Sequence, residues 1–293
     1  MRSFLFIPGD SERKQAKAFA AGADALILDL EDSVAPSRKA AAREMTRAFL
    51  SAHAPNNSRP YLLVRINSLD TPYWGDDLAG VMTGKPDAIL LPKPRTGEDV
   101  QRLSVALDHA EATAGIAVGS TRIFVIATEV PLSVLHMSSY VDCSARLEGL
   151  TWGAEDLGAE IGAATNRRPD GAWTTPFQLA RDLTLFTATA AKVLPIDTVF
   201  VNFRDLAGLE RECLEAARDG FTGKMAIHPD QVAVINAAFT PSQTEIARAE
   251  QILALFADNP GSGALSLDGQ MIDIPHFRHA ERTMARAKLA KRA

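Results

Sequence analysis

The segments RIFVIATEV (122–130) and LEGLTWGAED (147–156) decide how this chain is read. Each is an apolar, β-branched run that stops at a carboxylate, Glu129 in the first and Asp156 in the second. The acids lie 27 positions apart, which is room for one strand, a short helix and a turn. That is one βα unit of a parallel sheet. Consecutive parallel strands end side by side, so the spacing predicts that both carboxylates reach one small object. A hard divalent cation such as Mg2+ suits them, because it offsets two charges that otherwise repel. The competing reading is a pair of acids at helix N-termini. Glu155 also competes with Asp156 as second ligand if the strand stops at Trp152-Gly153.

The same rhythm runs along the chain. Strand-like runs are expected at Ser3–Ile7, Ala25–Asp32, Tyr61–Asn67, Ala88–Pro94, Arg122–Glu129, Leu147–Asp156, Ile196–Phe203 and Lys224–Pro229. Helices are expected between them, among them one capped by Ser37, one over Gly97–Ala114, a short one opening at Pro131 and long ones over Pro176–Val193 and Asp205–Gly220. Eight such units give the α/β class and a (β/α)8 TIM barrel. No Gly-rich phosphate turn marks a doubly wound sheet instead. Beyond the eighth strand, a helix over Ser242–Asp258, a hairpin over Leu265–Ile274 and a helix over His276–Ala293 form a C-terminal helical and hairpin extension. Residues 1–240 are therefore expected to be a catalytic barrel and 241–293 a lid or a surface for another subunit.

With 293 residues, 46% hydrophobic and 23% charged, the composition is ordinary for a globular chain. A net charge of −5 argues against nucleic acid or an anionic membrane as partner. The basic C-terminal group Arg282, Arg286, Lys288, Lys291 and Arg292 reads as a solvated helix face. Two cysteines without a C-x-x-C motif point to a reducing, cytoplasmic setting. No apolar run approaches a membrane span, and the N-terminus is too short for a signal-peptide core.

A barrel places its chemistry at the C-terminal ends of its strands. Those ends carry Pro8-Gly9, Glu31-Asp32, Arg65 and Asn67, Lys93, Glu129, Asp156, Asn202-Phe203 and His228-Pro229. Glu31, Asp32 and Lys93 read equally as site residues and as an internal ion-pair cluster. Arg65, alone in an apolar VRIN run, calls for an anion, either a substrate oxygen or an internal partner such as Glu31. His228 reads as a satisfied histidine ahead of a helix rather than an acid or base. Trp152 and Trp74 read as wall residues.

The segments RSFLFIPGD, GADALILDLEDSV, LLVRIN, ILLPKP, TWGAEDLG, FTGKMAIHPDQV and LDGQMIDIPH, in this order, resemble the citrate lyase beta-subunit branch of the HpcH/HpaI aldolase superfamily. That superfamily also holds the malyl-CoA and citramalyl-CoA lyases. The resemblance spans nearly the whole chain. It implies a Mg2+-dependent enzyme, with Mn2+ as an alternative ion, that breaks or forms a C–C bond between an acyl-CoA and a 2-oxo acid. By position it implies Glu129 and Asp156 as metal ligands, Arg65 as the strand-three arginine and Glu31 and Asp32 as the acidic pair. Asp273 would then lie on a lid that closes over a neighbouring subunit, which implies a homo-oligomer, with a trimer favoured, and makes Asp273 the proton-transfer candidate. Arg65, Lys93 and Gly153 are the expected substrate contacts. Arg13, Arg38 and Lys39 are candidates for the CoA phosphates by lying in early βα segments, and a solvated face explains them equally. One departure is that the family's metal glutamate sits in an I-E-T-A-like segment, whereas this run is IATEVP. The rival activities are thioester hydrolysis, CoA-independent oxo-acid cleavage, and service as a subunit for an acyl-carrier partner.

Overall fold

The structure is a computed structural model that describes residues 1–54 and 59–290. Lys291, Arg292 and the expected end of the last helix at Ala293 lie outside the described residues, as does part of the polar loop after His53. Eight parallel strands close into a barrel in chain order, with the first paired to both the second and the eighth. They are β1 (Ser3–Pro8), β2 (Ala25–Asp29), β3 (Tyr61–Arg65), β4 (Ala88–Leu91), β5 (Arg122–Ile126), β6 (Leu147–Thr151), β7 (Leu194–Asp197) and β8 (Gly223–Ala226).

Around it run α1 (Glu12–Lys17), α2 (Lys39–Ala52), α3 (Trp74–Val81), α4 (Gly97–Ala114), α5 (Pro131–Leu135), α6 (Ala154–Glu160), α7 (Thr175–Ala190), α8 (Leu206–Asp219) and α9 (Pro229–Ala238). Inward side chains such as Phe4, Ile27, Leu63, Leu90, Phe124 and Ile196 fill the lumen. Alternate residues of the same strands, such as Leu26, Leu28, Val64, Ile89 and Val125, pack outward under the helices. Gly149 is required where β6 passes Phe124, because a Cβ there would sit 2.5 Å from the ring.

Strands β2 to β8 end earlier than their apolar runs suggest, while β1 runs one residue further, to Pro8. Asp29 accepts from the N–H groups of Glu31 and Ser33, folding the chain into a turn before the acidic pair. β7 stops at Asp197, so 198–203 is loop, and the Phe200 carbonyl accepts from Gln231 Nε2 rather than from a ladder. β6 stops at Thr151. Glu155 and Asp156 sit in the first turn of α6, where acids suit the helix dipole. Ser37 does not cap α2. It lies in a 3-10 turn over Pro36–Arg38, and the helix starts at Lys39 with no side-chain cap.

The extension comprises α10 (Gln243–Asp258), a hairpin of β9 (Ala264–Leu267) and β10 (Gln270–Asp273), and α11 (Ile274–Ala290). Ser242 and Glu245 form a reciprocal cap for α10. The hairpin turns at Asp268-Gly269, both left-handed, as a tight two-residue turn demands. Ala249, Ile252, Ile272 and Ala280 form a small core of their own, separate from the barrel's. Among the described residues no helix is long and apolar enough to cross a membrane.

Candidate active site

A cavity of about 650 Å3 opens at the C-terminal ends of the strands. Its inner wall is largely apolar, with Phe6, Ile126, Trp152 and Met225. Arg65, Glu129 and Asp156 stand at the mouth and Arg13, Lys14 and Lys17 of α1 along the rim. Register builds the mouth. Asp29 and Arg65 are direct partners across β2 and β3. Arg65 Nε and Nη2 each donate 2.7 Å bonds to Asp29, a fork matched to a carboxylate. Arg65 Nη1 lies 2.9 Å from Glu31 Oε2, as a charge contact without hydrogen-bond direction. The Arg65 guanidinium also covers the Phe6 ring at 4.9 Å.

β5 and β6 bring up the two acids. The sheet pairing of β5 extends one residue past Ile126, as Ala127 N–H donates to the Thr151 carbonyl at 2.7 Å. Glu129 follows, 3% exposed, with its Oε2 accepting the Lys93 N–H at 2.7 Å. Gly153 is a packing requirement of that glutamate, since a Cβ would lie 2.6 Å from Glu129 Cγ. Gly153 N–H donates to Thr128 Oγ1, tying the β6 end to the β5 end. Asp156 Oδ1 lies 3.3 Å from Lys93 Nζ. Glu155 instead accepts from Asn166 Nδ2, so Asp156 is the acid turned toward Lys93 and Glu129.

Lys93 joins the two halves, with Nζ 2.6 Å from Glu31 Oε1 and 2.9 Å from Asp32 Oδ2. This crowding sets the protonation behaviour. Burial, with Glu31 and Asp156 adding to it, pushes Glu129 well above the ordinary carboxyl range, against the pull of Arg65 and Lys93. Burial likewise raises Glu31 despite Arg65 and Lys93. Asp29 goes the other way. Burial opposes ionisation, but the hydrogen bonds and charge of Arg65 outweigh it and hold the carboxyl low. Lys93 is raised, because burial is outweighed by Glu31, Asp32 and Glu129.

Glu31, Asp32, Arg65, Lys93, Glu129, Gly153 and Asp156 therefore converge. Asp273 does not join them in this chain. It ends β10 in the extension and contacts His276 Nδ1 at 2.6 Å. His228 caps α9, its Nδ1 accepting the Asp230 N–H, and its ring stacks on Phe203. Of the phosphate candidates, Arg13 lines the cavity and Arg38 faces Asp10. Lys39 is removed from that role: its buried ammonium donates to the Leu30 and Glu31 carbonyls and to Asn67 Oδ1, pinning the turn after β2. Two contributors escaped sequence reading. Asp29 is hidden in the apolar run ALILD, and Asp197 accepts the indole N–H of the cavity residue Trp152. A charge inside an apolar strand was the available signal for both.

Residues 2–229 match the family model for HpcH/HpaI aldolase/citrate lyase, and 180–290 match one for C–C bond lyases of the TIM-barrel fold. The chain is 34% identical to the citrate lyase subunit beta of Leuconostoc mesenteroides, covering 97% of this chain and 92% of that one. It is 33% identical to the L-malyl-CoA/beta-methylmalyl-CoA lyase of Rhodobacter capsulatus, over 99% and 95% of the two chains. It is 34% identical to a (3S)-malyl-CoA thioesterase of Cereibacter sphaeroides, over 98% and 94%. The structure of CitE from Mycobacterium tuberculosis with magnesium, acetoacetate and coenzyme A superposes with a TM-score of 0.79 at 33% identity, covering 98% of both chains. With the barrel, the acid-bearing strand ends and these matches in agreement, the chain belongs to the HpcH/HpaI aldolase/citrate lyase family.

Proposed function

We propose that this chain is a Mg2+-dependent carbon–carbon lyase. Its substrate is a 3-hydroxyacyl-CoA of the citryl-, malyl- or citramalyl-CoA type, cleaved reversibly to an acyl-CoA such as acetyl-CoA and a 2-oxo acid. The observation that carries this is the convergence of Glu129 and Asp156 on a common neighbour beside Arg65, over an apolar cavity with a basic rim. Lyase names among the relatives, and magnesium with CoA in the M. tuberculosis structure, point the same way.

The donor set fits the ion. Among the described residues no three His, Cys, Asp or Glu side chains form a closed cage. Mg2+ needs none, because it keeps several waters and takes one or two carboxylates plus substrate oxygens. Glu129 and Asp156 would hold it, with Lys93 N–H fixing one oxygen of Glu129 and leaving the other uncommitted. When bound, the ion supplies Lewis-acid polarisation of the substrate oxygens.

The chain's own residues do the rest. Cleavage breaks the C2–C3 bond, sends its electron pair to the thioester as an enolate, and turns the 3-hydroxyl, which loses its proton, into the oxo group. A guanidinium has five N–H donors. Asp29 takes one N–H each from Nε and Nη2 of Arg65, and Glu31 lies beside Nη1 without a directed bond, so N–H donors remain for the enolate oxygen. A proton returned to C2 completes the acyl-CoA. Asp273 is the proposed proton-transfer group, carried on the 241–293 lid of a second copy to the 1–240 barrel of the first, in a homo-oligomer with a trimer favoured. Arg13, Lys14 and Lys17 offer charge to the CoA phosphates. Both cysteines are free, in keeping with a cytoplasmic enzyme.

The test is to incubate the purified chain with a panel of 3-hydroxyacyl-CoA esters, with and without Mg2+, and analyse the products. Acyl-CoA and 2-oxo acid formed only with the metal are expected, and metal-independent cleavage overturns the proposal. The thioesterase relative favours a second reading, hydrolysis of a malyl-type thioester. Free CoA released with the hydroxy acid intact identifies it.

A further inference from the structure

One residue of the loop after β4 touches both carboxylates proposed to hold the metal. The Lys93 N–H donates to Glu129 Oε2 at 2.7 Å, while its ammonium lies 3.3 Å from Asp156 Oδ1. The same ammonium lies 2.6 Å from Glu31 and 2.9 Å from Asp32. Lys93 stands between Pro92 and Pro94, which have no N–H, so it carries the only backbone donor of that tripeptide. Its φ is 50°, in the left-handed region, and it precedes a proline. Non-glycine residues avoid that combination unless their surroundings enforce it. Here the enforced backbone aims the N–H at Glu129 and lets the side chain cross to Asp156.

We infer that Lys93 is a positioning residue. Its N–H holds Glu129, and its ammonium acts as a tethered counter-cation on Asp156 that a divalent ion must displace to bind. This rests on the metal reading given above. Glu31, Asp32 and Asp156 place three carboxylates around one ammonium, with Glu129 held by the N–H of the same residue and Arg65 beside Glu31, so without Lys93 the acids would repel one another. The ammonium also opposes the arriving ion, being a like charge beside one of its ligands. Lys93 thus preserves the site without metal at the expense of metal affinity.

The experiment is a calorimetric Mg2+ titration of the full chain as wild type, Lys93→Met and Lys93→Gly, with Glu129→Gln alongside, and a thermal melt of each with and without Mg2+. Both Lys93 substitutions keep the backbone N–H, and glycine suits φ 50°. Removing the ammonium is expected to tighten Mg2+ binding about ten-fold. The metal-free variants are expected to melt below wild type, and saturating Mg2+ to close the gap. A lysine that is only structural would lower both melts and leave affinity unchanged or weaker, and that result overturns the inference. If Glu129→Gln abolishes binding while Lys93→Met matches wild type, Lys93 alone is misassigned. If Glu129→Gln and wild type bind alike, the metal reading fails, and with it this inference.

Discussion

Glu129 is where charge, packing and pH meet. A carboxyl whose folded pKa is raised contributes stability that is complete below the unfolded value and is lost as pH rises through the folded one. Metal-free protein is therefore expected to lose stability above the ordinary glutamate value of 4.5, up through the raised one. Glu129→Gln should flatten that slope, read as melting temperature against pH. If Glu129 is a metal ligand as proposed, binding requires its carboxylate, so Mg2+ affinity should fall on acidification sooner than an ordinary glutamate predicts. Asp29 has the opposite sign. Its depressed pKa gives stability above 3.8 that is lost as pH falls. Arg65→Met leaves Asp29 and Glu31 buried without their guanidinium and should cost about 3–5 kcal/mol in urea denaturation. Gly153→Ala acts through shape alone. Its Cβ must push Glu129 Cγ from 2.6 Å, and a displacement on the order of 1 Å is expected to lower kcat/KM by roughly 100-fold with the fold retained.

At the scale of elements, the barrel was legible because each strand is an apolar run of fitting length closed by a turn signal, repeated eight times. The run lengths misled at the C-terminal ends, where loop residues such as Val199, Phe200 and Val201 are as apolar as a strand. What ends a strand is a side chain taking over the backbone's partners, as Asp29 does after β2, and hydrophobicity carries no trace of that. Asp156 was legible both as an acid near a strand end and as an acid at a helix N-terminus, and its place in the first turn of α6 shows that the two readings hold together. Of the pair between β7 and β8, Asp197 was signalled only as a charge in an apolar strand, and its partner was not legible. Lys224 and Asp197, both fully buried and 2.7 Å apart, are register partners, and Lys224 also reaches Glu212 on α8. Asp197 in turn holds the indole of Trp152. Lys224→Met strands a buried carboxylate and should cost about 3–5 kcal/mol, only partly offset by Arg181 at 3.7 Å. Pairing it with Asp197→Asn should recover much of that loss in urea melts, because the double variant buries no lone charge at this position.

At the scale of the molecule, the extension poses the question that one chain leaves to two. Its hairpin carries Asp273 on a unit with its own small core, and the contact that Asp273 makes is with His276 of the same unit. Met271, beside it, is 65% exposed. A lid serving a second copy makes a prediction that a lid serving its own barrel cannot. On the proposed roles, Asp273→Asn would have an intact mouth and a defective lid and Glu129→Gln the reverse, so each alone should be inactive. Co-expressed in equal amounts with different tags and purified as mixed oligomers, a mouth with Glu129 meets a lid with Asp273 by chance in about a quarter of sites. Activity near a quarter of wild type is therefore expected. A lid acting within its own chain gives none, because every chain then carries one of the two defects.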